Sequence, residues 1–89
     1  MTTPIRSDFE ALLDQQFEVE GGQVHLILRR VEPLPSSPRE GGGFRLEFAG
    51  EQHLAQGTYA LVCGDDRYDI FMVPIAQQGA DTILEAIFN

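Results

Sequence analysis

From residue 16 onward the apolar residues recur at every second position, in short runs divided by turn residues, and no run is long enough for a crossover helix. Parallel strands need connections of a dozen or more residues, usually helical, so this chain is restricted to antiparallel pairing. Six runs qualify as strands: QFEVE, QVHLILRRVE, FRLEFAG, TYALVC, RYDIFMVPI and TILEAIFN. In FRLEFAG the alternation is cleanest, with Phe44, Leu46 and Phe48 on one face and Arg45 and Glu47 on the other. Gly21-Gly22 reads as a two-residue hairpin between the first two runs. In the second, Val24, Leu26 and Leu28 share a face that Ile27 and Val31 oppose, so either both faces are partly covered or a bulge shifts the register.

The last two runs are apolar on both faces. Tyr68, Ile70 and Met72 oppose Phe71, Val73 and Ile75, while Leu84, Ala86 and Phe88 oppose Ile83 and Ile87. Strands of this kind need cover on both sides, from a helix, a second layer or another copy of the protein. TILEAIFN is expected to close the sheet, with Glu85 marking where its face meets water or serving as an edge charge.

One helix is predicted. Ser7 and Glu10 stand three apart, as in a capping box, and Phe9, Leu12 and Leu13 follow as an apolar stripe. The pattern predicts a helix from residue 8 to 15 or 16, too short to hold itself in water and therefore docked on the sheet. Residues 33–43, PLPSSPREGGG, read as an exposed flexible loop within a single domain spanning residues 1–89.

Fourteen acidic against six basic residues give a net charge of −8, which repels a phosphate backbone and argues against nucleic-acid binding. Negative charge serves solubility, or a basic partner. A single cysteine, Cys63, forms no internal disulfide and suits a reducing compartment. The first residues show no secretory pattern and no window is apolar enough to span a membrane, so a cytoplasmic location is expected.

The candidate chemistry is thin. Cys63 with His25 or His53 has the residue types of a nucleophile and base but no elbow motif around the thiol. Asp65, Asp66 and Asp69 are close in sequence without the spacing of a calcium loop, and Asp-rich turns form for backbone reasons. Gly41-Gly42-Gly43 lacks the Lys and Ser/Thr of a phosphate loop and leads into a strand. No catalytic residue, metal site or cofactor is predicted.

The strings FRLEFAG, LAQGTYAL, DIFMVPI and LEAIFN carry a resemblance over nearly the whole chain. The protein resembles a family of small bacterial proteins, a domain of unknown function. Its shared positions would be Phe9, Leu12, Leu13 and Phe17, then Leu46, Phe48 and Gly50, then Gln56, Gly57, Thr58 and Tyr59. Phe71, Val73, Pro74 and Ile75 follow, with Glu85, Ala86, Phe88 and Asn89 at the end. Leu84 stands where the family pattern has an aromatic. Linkage of such proteins with phage-tail-collar-like genes implies an assembly or accessory role, and the shared residues supply fold and no chemistry.

The expected fold is mainly β: a short N-terminal helix packed on a curved six-stranded antiparallel meander or small open barrel. The expected function is a non-catalytic protein–protein interaction or assembly module, with a protein partner or a second copy of itself docking on Phe71, Val73, Ile83 and Ile87. One alternative is a small-ligand-binding barrel lined by Phe44, Phe48, Tyr59 and Tyr68 around a polar group. The other is an acidic inhibitor or nucleic-acid mimic with its charge gathered on one face.

Overall fold

The computed structural model describes residues 4–35, 38 and 42–88. One helix, α1 (Arg6–Glu10), precedes six strands: β1 (Gln16–Val19), β2 (His25–Leu34), β3 (Gly43–Gly50), β4 (Gly57–Cys63), β5 (Asp66–Gln78) and β6 (Asp81–Phe88). The strands form a closed barrel in the order β1-β2-β3-β6-β5-β4, and every pair is antiparallel. The mainly β architecture with one short helix is as the sequence predicts. Of its two forms, the ring is closed where an open barrel was expected, and it is no meander because β6 lies between β3 and β5. The C-terminal strand thus does not close the sheet. Closure falls to β1 and β4, through Glu18↔Val62 and Val19↔Leu61, with the Glu20 amide donating to the Ala60 carbonyl at 2.8 Å.

Each strand sends a large apolar side chain inward: Phe17, Leu28, Phe48, Leu61, Met72 and Leu84 are all fully buried. Fully burying one such side chain stabilises the fold by about 1.5–3 kcal/mol, so this interior is the main source of stability. Phe17 meets Phe48 edge-on, with ring centroids 5.4 Å apart. The alternation in β2 slips at a bulge between Leu28 and Arg30, which returns Val31 to the interior opposite Leu46. Of the two readings of β2, the bulge is the one that occurs.

The two ends of the barrel are closed differently. At the end where β3 begins and β6 finishes, α1 inserts Phe9, fully buried against Phe44, Tyr68 and Phe88 at 5.7, 4.9 and 5.7 Å, while Phe44 stacks on Phe88 at 4.5 Å. Residues 51–56 cross the other end, from the finish of β3 to the start of β4, and Leu54 packs on the core there. The Tyr59 hydroxyl ties this crossing down by donating to the Ala55 carbonyl at 2.6 Å.

The helix differs from its predicted span of 8 to 15 or 16. It begins after Ile5, whose amide donates to the Asp8 carboxylate at 2.9 Å, so Asp8 takes the reach-back role expected of Glu10 and Ser7 lies inside the helix. Beyond Ala11 the backbone tightens into three-residue bonds, Leu12 to Phe9 and Gln15 to Leu12. Asp14 then adopts φ +67° and its amide donates to the Leu28 carbonyl at 2.7 Å, joining the chain to β2. Asp tolerates this conformation better than most residues. As a result Phe9 is buried and Leu12 packs on the core, but Leu13 is exposed.

The turns follow glycine chemistry. Gly64-Asp65 and Gly79-Ala80 each join paired strand ends, Cys63↔Asp66 and Gln78↔Asp81, with φ +61° at the glycine alone. That is the two-residue hairpin with glycine at its first central position. The Gly21-Gly22 connection is longer than the expected two residues: residues 20–23 form it, closed by the Val19 amide on the Val24 carbonyl at 2.9 Å. The predicted loop at 33–43 is narrower, since Pro33 and Leu34 pair with Phe44 and Gly43 within the sheet. Of that stretch, residues 36, 37 and 39–41 lie outside the described residues, as does Asn89.

Candidate functional site

Because the interior is filled, the barrel presents its outer wall to other molecules. The outward face of β5 and β6 carries the four residues predicted to dock a partner, and the structure separates them. Phe71 is 52% exposed and Ile87 46%, and Val73 is half-buried. Ile83 is 1% exposed and offers no docking surface. Val73 pairs with Glu85; Phe71 lies two residues before Val73 on β5 and Ile87 two residues beyond Glu85 on β6.

Beside this apolar pair lies an ionic cluster. Glu47 and Glu85 are directly opposed on β3 and β6, an arrangement of like charges that destabilises a sheet unless something bridges it. Arg45, which pairs with Ile87, supplies the bridge: its Nε donates to Glu85, and its Nη1 contacts both Glu32 and Glu47 at 2.7 Å. Arg30 adds longer contacts, 3.7 Å to Glu32 and 3.8 Å to Glu47. The hydrogen bond that Arg45 donates to Glu85, against the cost of burial, raises the Arg45 pKa, with Glu47 adding in the same direction. Glu85 is therefore no edge charge, and its side chain is partly exposed on the outer face. It is a partner in a cluster on a strand paired on both sides.

The residues weighed for catalysis stay apart. Cys63, at the end of β4, packs on the core, whereas His25 is exposed on β2, and β1 lies between their strands. Burial, with the Asp66 charge adding to it, pushes the Cys63 thiol pKa up, the reverse of what a nucleophile needs. Asp65 and Asp66 occupy the β4–β5 turn, and Asp69 contacts Arg67 at 3.4 Å, Arg67 also pairing with Glu20. Among the described residues no three His, Cys, Asp or Glu side chains come together as a metal site. No helix among them is long and apolar enough to cross a membrane.

Sequence reasoning missed one concavity. A groove of about 630 Å³ lies on the outer wall, with Ile27, Ala49, Gly50, His25, Arg29 and Asp81 among its lining residues. The only signal for it was the pair of small residues, Ala49-Gly50, ending an otherwise bulky strand.

The fold is that of a small, closed antiparallel β-barrel with a packed interior. The model of the family described as Domain of unknown function (DUF6916) matches residues 4–88, and the chain belongs to that family. No match was found among curated proteins or among solved structures.

Proposed function

We propose that the protein is a non-catalytic interaction module that docks a protein partner on the outer face of β5 and β6. The observation that carries this reading is the exposure of both Phe71 and Ile87 on the outer face of β5 and β6, beside carboxylates already paired with Arg45. An apolar centre with a polar rim is the anatomy of a protein–protein interface, and aromatic residues are frequent anchors in such sites. Ile83 drops out of the docking set because it is buried. The resemblance to bacterial proteins linked with phage-tail-collar-like genes supports an accessory role in an assembly of that kind, within the cytoplasm. A ligand inside the barrel has less support, since Phe44 and Phe48 are packed and the Tyr59 hydroxyl is bonded to Ala55. A nucleic-acid mimic has less as well: Asp65 and Asp66 lie at one end, Glu51 and Asp81 at the other, and Glu32, Glu47 and Glu85 surround Arg45.

The test is photo-crosslinking from position 71, replaced by benzoylphenylalanine, in cells that naturally make the protein. Glu18, exposed on β1 across the ring from β6, is the control position. A discrete adduct from position 71, absent from position 18 and lost on Ile87→Asp, is expected. An adduct at twice the mass of the chain identifies the partner as a second copy. Equal labelling from both positions, or none from position 71, overturns the reading.

A further inference from the structure

The groove on β2 and β3 has an apolar lining and a charge. Ile27 pairs directly with Ala49, and Ala49 with Ile83, so small side chains on β3 leave a trough between two isoleucines. Ile83 faces outward yet is 1% exposed and lies outside the interior cluster. The end of the β5–β6 hairpin is held to this wall by one hydrogen bond. Gln78, next to the turn, accepts a hydrogen bond from Arg29 Nη1 at 3.0 Å, although β3 and β6 lie between their strands.

Arg29 stands apart in this acidic protein. Among the described arginines, Arg6, Arg30, Arg45 and Arg67 each pair with a carboxylate, and Arg29 has only the neutral Gln78 amide. That bond uses one of five guanidinium N–H donors and holds the group at the groove wall. We propose that the groove receives the carboxyl-terminal end of a peptide, with Arg29 binding its terminal carboxylate.

The remaining lining selects this ligand class. A phosphate dianion would bring twice the negative charge of a carboxylate to a groove that also holds Glu51 and Asp81. A sugar would find no aromatic side chain to stack on. A peptide end carries one negative charge, suited to the forked donors of one arginine. Its final apolar side chain lies over Ile27 and Ala49, and its backbone meets the side-chain amides of Gln16 and Gln52. A basic residue upstream reaches Glu51 or Asp81, and His25 lines the wall beside them. The volume is that of a site holding a few residues. This site shares no residue with the Phe71–Ile87 face, so either proposal stands if the other falls.

The test titrates the full, ¹⁵N-labelled chain with acetyl-Lys-Ala-Ala-Val bearing a free carboxylate, and with the same peptide as its C-terminal amide. Saturable shifts of the Ile27, Ala49 and Gly50 amides and of Arg29 Nε are expected with the acid, and affinity at least about tenfold weaker with the amide. Arg29→Gln brings the acid down to the level of the amide, and Arg29→Lys, keeping the charge without the fork, recovers part of the difference. Equal binding of acid and amide, no shifts up to about 10 mM peptide, or the same shifts from inorganic phosphate would each overturn the proposal. The comparison of acid with amide on the unaltered chain holds even if a variant fails to fold.

Discussion

Phe9→Ala removes the side chain that closes one end of the barrel. The ring is fully buried and lies within 4.9–5.7 Å of three other aromatic rings, so its loss leaves a void bounded by Phe44, Tyr68 and Phe88. Phe→Ala changes at such sites cost about 3–5 kcal/mol, transfer and cavity together. A chain of this length has a total stability of roughly 4–13 kcal/mol, so the variant is expected to lose about a quarter of it or more. Urea unfolding followed by far-UV circular dichroism reads the loss as a lower midpoint with an unchanged slope. Leu13→Ala, on an exposed side chain four residues along, is the control and is expected to cost no more than about 0.5 kcal/mol. If Phe9→Ala costs less than about 1 kcal/mol, α1 merely leans on a barrel that seals without it, and the reasoning fails.

Arg45→Met leaves Glu47 and Glu85 opposed without their bridge, in a cluster whose side chains are mostly buried. A loss of about 2–3 kcal/mol is expected, below the range for fully buried pairs, with partial recovery in high salt. The same urea titration with and without salt measures it. Burial, then the charges of Asp66, Asp8 and Cys63, raises the Tyr68 pKa above its unfolded value, and the Cys63 pKa is raised too. A raised acid contributes stability that is whole below its unfolded pKa and is lost as pH climbs through the folded one. Stability is therefore expected to fall from about pH 8.5 for the thiol and about pH 10 for the phenol. Tyr68→Phe should flatten the phenol's share of that decline, as read from urea midpoints across the alkaline range.

Period-two alternation made the strands and their inward faces legible in the sequence, because a half-buried strand writes its burial directly into every second residue. Phe44, Leu46 and Phe48 are buried as that pattern requires, and the slip at Val31 announced its bulge. The ring order was not legible, since nothing local distinguishes β6 beside β3 from β4 beside β3. The helix start was misread because Ser7–Glu10 and Ile5–Asp8 offer overlapping reach-back pairs, and the latter lets Phe9 enter the barrel. Of the candidate docking residues, Phe71 and Ile87 are exposed while Ile83 is buried on the outward face, which no local pattern encodes. Arg45, the bridge of the ionic cluster, was visible only as an outward residue of β3.

Inward side chains hold the barrel together, whereas Phe71 and Ile87 on the outer wall lie outside that core. The unfolding free energy of the double variant Phe71→Thr, Ile87→Thr tests this most directly, because threonine keeps the strand preference while removing the apolar surface. A loss of no more than about 1–2 kcal/mol is predicted, as half-exposed side chains contribute little to folding. A loss near the roughly 3–5 kcal/mol expected of Phe9→Ala would show that this face is part of the structural core, and would contradict the account.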